Sequence, residues 1–185
     1  MNSKILSVCV FCGSRSGSDI NFVEAAQKVG AMIANNNWRL VYGAGDVGLM
    51  GEVARSCQKN GGITFGVIPK FLMEKEAGKV DLSTLVVTEN MHERKKVMYT
   101  NSEVIVTLPG GIGSLDEFFE LLTWTQLKIN VKPLFLLNIN GYWDPLLALI
   151  DQIIRKEFAN PSLLNAFKTI NSVKELEKEL CQIQP

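Results

Sequence analysis

The chain has 185 residues, of which 46% are hydrophobic, so it is long enough for one well-packed domain and rather short for two. Lysine plus arginine and aspartate plus glutamate number 19 each, which excludes the broad basic surface that a long nucleic-acid footprint requires. Because the sequence has neither a signal-peptide pattern nor an apolar run of about 18 residues, we expect residues 1–185 to form a single cytoplasmic domain that does not contact a membrane.

Apolar runs and helical patterns alternate along the chain. The apolar runs predict strands buried on both faces, at residues 5–11, 40–42, 63–68, 85–87, 104–108 and 133–137. Helical periodicity predicts helices at residues 21–35, 47–60, 91–101, 115–127, 143–158 and 173–180. This alternation predicts a three-layer, Rossmann-like α/β fold in which helices flank a parallel sheet. Residues 70–83 have the length of a lid or a binding loop.

The four cysteines are too few for a disulfide framework, and we expect free thiols. Cys9 and Cys12 form a C-x-x-C pattern within the first predicted strand. Three positions apart on an extended chain, their side chains point to opposite faces, whereas redox pairs lie at the start of a helix. The pattern therefore does not indicate a redox or metal site.

Three glycine-bearing turns each join a predicted strand to a predicted helix, at residues 13–17, 43–51 and 109–117. In a parallel sheet such turns emerge at the carboxyl edge, so we expect them to share one pocket. The second turn resembles the G-x-G-x-x-G dinucleotide motif, but the strand after it ends in Pro69-Lys70 and offers no acidic residue for a ribose. The sequence does not decide whether the glycines of this turn allow close packing of the helix on the strand or contact a ligand.

The third turn has the features of a phosphate site. Gly110, Gly111 and Gly113 allow close approach of backbone N–H groups, and the following helix directs its positive end to the same place. Glu117 lies one helical turn beyond the glycines, close to the part of the bound molecule that carries the phosphate. The loop is thus predicted to bind an anion and Glu117 to act on the bound molecule.

A basic helix start at residues 91–98 also follows a strand, so Arg94 is predicted to reach the same edge and grip a phosphate or ribose. An Arg-Lys-Lys run is by itself more typical of a solvated helix face. His92 is the only histidine, so no multi-histidine metal site and no histidine-based triad is possible. Asp116, Glu117 and Glu120 have the spacing of a surface row rather than a Mg²⁺ site, and we predict neither a metal nor a cofactor.

Together these motifs resemble the LONELY GUY family of cytokinin nucleotide phosphoribohydrolases, which were long mislabelled as lysine decarboxylases. The resemblance spans nearly the whole chain and rests chiefly on residues 42–45, 48–51, 91–95 and 109–117, with further matches at 10–14, 67–70, 123–127 and 137–143. It implies hydrolysis of the N-glycosidic bond of AMP-type nucleotides, releasing the base and ribose 5′-monophosphate. It also implies a homodimer whose interface lies beside the active sites.

By the same resemblance, Arg94 and Glu117 match the catalytic pair. The predicted substrate-binding residues are Ser14, Glu76, Arg94, Lys95, Gly110, Gly111, Ile112, Gly113, Ser114, Leu115, Asp116, Glu117, Glu120 and Thr123. Two positions depart from the family pattern. Ser114 replaces the usual threonine and keeps the hydroxyl, whereas Ala44 replaces the middle glycine of a G-G-G run and adds a methyl where a ligand approaches.

The residues fit that chemistry. Cleavage of a ribose–purine bond passes through an oxocarbenium-like state that needs a negative charge, an oriented water and help for the departing base. Glu117 supplies the first two as a carboxylate, while Arg94, which stays charged, positions substrate rather than donating a proton. The sequence leaves two sources for the proton that the departing base needs, Glu120 and water.

Two other functions are open on sequence alone. The first is a nucleotide carrier or molybdenum-cofactor carrier of similar fold, which would use the glycine loops without catalysis. The second is pyridoxal-dependent decarboxylation, for which Lys95 or Lys96 would have to form a Schiff base. For the homodimer, the predicted helices at 91–101 and 115–127 carry more large apolar groups than one helix face needs, among them Phe118, Phe119, Leu122 and Trp124.

Overall fold

The computed structural model describes residues 5–73, 81–129 and 131–183. All of its strands are parallel and join one seven-stranded sheet in the order β4-β3-β2-β1-β5-β6-β7. In chain order they are β1 (Ser7–Phe11), β2 (Arg39–Tyr42), β3 (Ile63–Pro69), β4 (Thr84–Thr88), β5 (Val104–Thr107), β6 (Leu134–Leu137) and β7 (Lys168–Ile170).

In the ranges that the structure describes, six α-helices cover the two faces of the sheet. They are α1 (Ile20–Asn35), α2 (Gly48–Lys59), α3 (Met91–Thr100), α4 (Ile112–Gln126), α5 (Asp144–Arg155) and α6 (Val173–Leu180). Short 3-10 turns occur at Lys70–Leu72, Ile139–Gly141 and Pro161–Asn165. No helix in the described part of the chain is both long and apolar enough to cross a membrane.

Each face of the sheet has its own apolar core. One core joins the inward side chains of the sheet to α1, α2 and α6, and the other joins them to α3, α4 and α5. Cys12 belongs to the first core and Cys9 to the second, so the two side chains do point to opposite faces, as predicted. All four cysteines are free thiols, which confirms that expectation as well.

The predicted three-layer α/β fold is confirmed, with two local corrections. The prediction for residues 85–87 as a strand buried on both faces is wrong, because β4 is an edge strand and most of its residues are half-buried or exposed. The strand β7 was not predicted, because it is only three residues long, includes one lysine and so has no apolar run.

The strand order places a topological switch point between β1 and β5. From β1 the chain builds outward to β2, β3 and β4 on one side, and β5, β6 and β7 extend the sheet on the other side. Connections leaving the carboxyl ends of β1 and β5 therefore diverge and leave a crevice between them, which is where open α/β sheets bind ligands.

Candidate active site

The three glycine-bearing turns meet at this switch point. The N–H of Gly13 donates to the carbonyl of Pro109 over 3.1 Å, and the N–H of Leu108 donates to the carbonyl of Phe11 over 2.8 Å, so the turns after β1 and β5 lie side by side. The N–H of Leu49, in the first turn of α2, donates to the carbonyl of Gly13 over 3.0 Å. The shared pocket edge predicted from strand order is thus present.

The turn after β2 serves packing rather than anion binding. The amides of Leu49 and Met50, at the start of α2, point at the Gly13 carbonyl, so this helix end already has an acceptor. Gly48 adopts a φ of +57°, and a Cβ there would lie 2.3 Å from the backbone carbon of Ser14. Of the two alternatives left open for these glycines, the structure favours close packing for Gly48.

Ala44 does not crowd the ligand side of this turn. Its backbone has a φ of +58°, its methyl is fully buried in the core, and a Cβ added at Gly66 of β3 would lie 2.8 Å from it. The concern that an alanine here interferes with a ligand is therefore corrected: the methyl packs against the sheet.

The start of α4 is built to receive an anion. Gly111 is the N-cap residue and provides no side-chain cap, and a Cβ at Gly111 or Gly113 would meet no atom within 4 Å. The first amides of an α-helix have no acceptor inside the helix, and the helix dipole adds positive potential there. Open space and bare N–H groups together make this helix end accessible to a phosphate.

Gly110 has a different role from its two neighbours. A Cβ there would lie 2.1 Å from Oγ of Ser114 and 2.9 Å from the nitrogen of Gly13. Gly110 therefore lets the buried Ser114 and the first turn pack against the loop, and any larger residue would push them apart.

Arg94 is buried at the floor of the crevice, with only 5% of its surface exposed. Its Nε donates to the carbonyl of Val67 over 3.2 Å, and one terminal nitrogen donates to the carbonyl of Gly43 over 3.0 Å. The Asn90 side chain caps α3 through the N–H of Glu93 and so fixes the helix start that carries Arg94. The arginine is thus a fixed positive charge.

Gly43 is required by this arrangement. A Cβ at residue 43 would lie 1.9 Å from a terminal nitrogen of Arg94, which is far inside van der Waals contact. The glycine after β2 therefore provides the space for the guanidinium, and its carbonyl accepts one of the guanidinium hydrogens. This role was missed by the sequence analysis, since the acceptor and the arginine are 51 positions apart.

Lys95 is also buried, so the basic run at residues 94–96 is not the solvated face that such a run by itself typically forms; of these three residues, Lys96 alone is exposed. Its Nζ lies 3.0 Å from carboxylate oxygens of both Asp116 and Glu120, which ties α3 to α4. Burial lowers the pKa of Lys95, but the hydrogen bonds and charges of Glu120 and Asp116 outweigh it, and the net pKa is raised. The ammonium form is therefore favoured.

Arg94 and Glu117 line the same cleft, which has a volume of about 230 Å³. A larger cavity of about 480 Å³ adjoins it and shares Gly13, Ser14, Gly111 and Ile112 with it. The cleft is lined by Cys12, Gly13, Ser14, Met50, Leu72, Met91, Arg94, Gly111, Ile112, Gly113, Ser114, Asp116 and Glu117. Together the two spaces reach the size at which proteins hold small-molecule ligands.

The predicted site residues divide into three groups. Eight line the cleft: Ser14, Arg94, Gly111, Ile112, Gly113, Ser114, Asp116 and Glu117. Five do not line it: Gly110 borders the adjoining cavity, Lys95 and Glu120 pair with each other, Leu115 packs on the core, and Thr123 is exposed with its hydroxyl bonded to the carbonyl of Phe119. Glu76 lies outside the described residues.

The cleft also contains the thiol of Cys12, which the C-x-x-C pattern did not assign to this site. Cys12 lines it, and burial raises the pKa of this thiol well above its ordinary range, with the charge of Glu117 raising it further. At neutral pH Cys12 is therefore protonated and has little nucleophilic character. Cys12 contributes an uncharged wall rather than a reactive group.

The chain is similar to known proteins over most of its length. A family model described as "Possible lysine decarboxylase" matches residues 50–180. The cytokinin riboside 5′-monophosphate phosphoribohydrolase LOG1 of Arabidopsis thaliana is 38% identical over 180 residues, covering 97% of this chain and 84% of that protein. The probable cytokinin riboside 5′-monophosphate phosphoribohydrolase LOGL9 of Oryza sativa subsp. japonica is 40% identical over 183 residues, covering 99% and 81%.

Among solved structures, the molybdenum cofactor carrier protein of Chlamydomonas reinhardtii superposes with a TM-score of 0.73 at 20% identity, covering 97% of this chain and 98% of that one. The molybdenum cofactor binding protein of Rippkaea orientalis gives a TM-score of 0.71, also at 20% identity, and covers 97% of each chain. At this identity the likeness establishes the shared Rossmann-like fold and does not extend to the ligand.

Proposed function

The chain belongs to the LONELY GUY family, and from that membership we propose that it is a phosphoribohydrolase, which cleaves the N-glycosidic bond of AMP or an N6-substituted AMP and releases the base and ribose 5′-monophosphate. The observation that carries the proposal is the meeting of three features in one cleft: the open amide end of α4, the buried guanidinium of Arg94 and the carboxylate-bearing Glu117.

The phosphate of the nucleotide lies at the first turn of α4 in this proposal. The amides of that turn and the helix dipole favour a dianion, and Gly111 and Gly113 leave room for it. Ser14 and Ser114 line the same space with hydroxyl groups. Binding the phosphate here places the ribose further along α4, toward Glu117, which is five positions beyond the start of the helix.

Glu117 is proposed to do the chemistry. As the bond to the base breaks, positive charge develops on the ribose ring, and a nearby carboxylate stabilises it and orients the attacking water. Arg94 is held by the two carbonyls of Val67 and Gly43, so it serves as a fixed cation that positions the substrate. Because it stays protonated, it is not the proton donor.

The proton for the departing base is proposed to come from water. The alternative left open by the sequence is Glu120, but its carboxylate lies 3.0 Å from the ammonium group of Lys95. A carboxylate in that pairing accepts hydrogen bonds, and protonating it would break the ion pair. Glu120 and Lys95 instead fix the position of α4 relative to α3.

Pyridoxal-dependent decarboxylation is disfavoured by the state of the lysines. A lysine that forms a Schiff base needs a lowered pKa, so that the free amine is available. The pKa of Lys95 is raised by Glu120 and Asp116 despite its burial, and Lys96 lies exposed on the outer side of α3. An absorbance spectrum of the purified protein with a visible cofactor band would contradict this conclusion.

We further propose that the protein is a cytoplasmic homodimer whose interface lies beside the active sites. Two of the large apolar groups expected to face a partner, Phe118 and Leu122, are buried in the chain's own core. Phe119 and Trp124 are only partly buried and leave area for a partner on α4. Light scattering tests this: the expected mass is twice the 20.5 kDa of one chain, and a mass of one chain refutes the dimer.

The function is tested by incubating the protein with AMP and with the isopentenyl-adenine nucleotide and following free base by chromatography. We expect base and ribose 5′-monophosphate in equal amounts, and the ratio of the two rates identifies the preferred base. Binding of both nucleotides without cleavage of either would overturn the hydrolase and favour the nucleotide carrier, which would use the same glycine turns without chemistry.

A further inference from the structure

A tyrosine from the turn after β6, the neighbour of β5 in the sheet, contacts the glycine turn at residues 109–117. The hydroxyl of Tyr142 donates a 2.6 Å hydrogen bond to the carbonyl of Gly110. Tyr142 follows β6, and a tight turn with two left-handed residues, Asn140 at φ +53° and Gly141 at φ +73°, brings it to the loop. Such conformations persist only where the surrounding structure holds them.

Side chains around Tyr142 fix its position. Asn138 accepts from the N–H of Trp143 over 2.6 Å and donates to Asp144 over 2.8 Å, which closes the turn. The ring of Tyr142 makes edge-to-face contacts with Phe22 and with Trp143, at centroid distances of 5.2 and 4.7 Å. The hydroxyl is thus presented to Gly110 on a rigid support.

This hydrogen bond determines where an amide of the phosphate site points. The carbonyl of Gly110 and the N–H of Gly111 belong to one peptide group, and in a trans peptide they point in opposite directions. The described chain contains no cis peptide. Anchoring the carbonyl toward Tyr142 therefore turns the N–H of Gly111 away from Tyr142.

A peptide between two glycines would otherwise be free to flip, because neither side has a Cβ to restrict it. If it flipped, the Gly110 carbonyl would face the anion in place of the Gly111 N–H and would repel it. The neighbouring carbonyls are also engaged: that of Pro109 accepts from Gly13, and that of Gly111 accepts from Leu115. Tyr142 completes a set of three successive carbonyls that are held by donors of the protein.

We infer that Tyr142 is a positioning residue, which keeps the Gly110–Gly111 peptide in the orientation that binds the phosphate of the substrate. The inference rests on the proposed function only in taking a phosphate to lie at the first turn of α4. Tyr142 acts through the loop and touches no reacting atom, so it affects binding of the phosphate group and not the bond-breaking step.

The test is Tyr142→Phe, which removes the hydroxyl and keeps both ring contacts. We expect the Kd for ribose 5-phosphate, measured by calorimetry, to rise about 3- to 10-fold, as for the loss of one hydrogen bond. KM for AMP should rise by the same factor, kcat should change by less than about twofold, and the melting temperature should be unchanged. Phe22→Leu is the comparison variant: it removes one of the two ring contacts of Tyr142 and keeps the hydroxyl, so it should lower the melting temperature and raise Kd by less than Tyr142→Phe does.

The outcomes separate this inference from the proposed function. If the wild-type protein binds ribose 5-phosphate but releases no base from nucleotides, the hydrolase fails while the ratio of Kd values still judges Tyr142. A Kd for Tyr142→Phe within about twofold of the wild-type value overturns the inference, whatever the turnover. An equal rise in Kd for Phe22→Leu also overturns it, since the ring and not the hydroxyl would then be responsible.

Discussion

Gly43→Ala is the substitution that most directly displaces the buried guanidinium of Arg94. The added methyl would lie 1.9 Å from a terminal nitrogen of Arg94, 3.0 Å from its central carbon and 3.3 Å from the sulfur of Met50. Ordinary van der Waals contact begins at 3.4 Å, so the guanidinium has to move by about 1.5 Å. The backbone at Gly43 is not left-handed, so the effect comes from crowding and not from strain of the alanine.

That displacement separates the terminal nitrogen of Arg94 from the Gly43 carbonyl, now 3.0 Å away, and weakens the bond from Nε to the Val67 carbonyl. Loss of one buried hydrogen bond from a charged donor costs about 1.5–3 kcal/mol, and we expect the free energy of unfolding to fall by about 2–3 kcal/mol. A misplacement of about 1 Å in a positioning group lowers turnover by about 100-fold.

A double-mutant cycle with Arg94→Ala isolates this contact, measured by urea denaturation and by release of base. In the Arg94→Ala background the methyl has no guanidinium to displace, so Gly43→Ala should change the free energy of unfolding by less than about 0.5 kcal/mol. Gly113→Ala provides the control for stability, since a Cβ there meets no atom within 4 Å. An equal cost of Gly43→Ala in both backgrounds would refute the reasoning.

Three further predictions follow from the charges, thiols and glycines. Because the folded-state pKa of Lys95 is raised above 10.5, its stabilising contribution is complete below that pH and is lost as the pH rises through the folded-state pKa. The difference in unfolding free energy between wild type and Lys95→Met should therefore shrink as the pH rises above about 10.5, and a constant difference would contradict this. Native protein should incorporate one equivalent of iodoacetamide rapidly, at the exposed Cys181, since burial protects the other thiols and raises the pKa of Cys57 to about 11; rapid labelling of a second thiol would contradict it. Ala44→Gly removes an alanine from a left-handed conformation, which stabilises the fold by about 1 kcal/mol, and also removes one buried methyl, which destabilises it by about 1 kcal/mol. The free energy of unfolding from urea denaturation should therefore change by less than about 0.5 kcal/mol, and a loss above about 1.5 kcal/mol would contradict this balance.

Much of the site could be predicted because its placement follows from topology. Once strands and helices alternate, a parallel sheet brings every strand-to-helix turn to one edge, and so Gly13, Arg94 and Gly111 were predicted to meet there. Gly110 and Gly111 were predicted together as anion contacts, yet only Gly111 is open while Gly110 is packed. The spacing of glycines does not distinguish the two roles.

The burial of Arg94 and Lys95 could not be predicted from their own helix. What buries them are groups distant in sequence: the carbonyls of Val67 and Gly43 for Arg94, and the carboxylates of α4 for Lys95. A run of three basic residues has the same appearance whether or not such acceptors surround it. Tyr142 was not predicted as a site residue for the same reason, because the carbonyl that accepts its hydrogen bond lies 32 positions earlier in another turn.

The central claim is that Glu117 performs the chemistry while the start of α4 binds the phosphate, and the most direct measurement compares Glu117→Gln with the wild-type protein. Both should bind ribose 5-phosphate with similar Kd by calorimetry, and release of base from AMP by the variant should fall by about 100-fold or more. Asp116→Asn, a neighbouring carboxylate in the same cleft, is the matched control and should retain more activity. Base release by Glu117→Gln at near the wild-type rate would contradict the account.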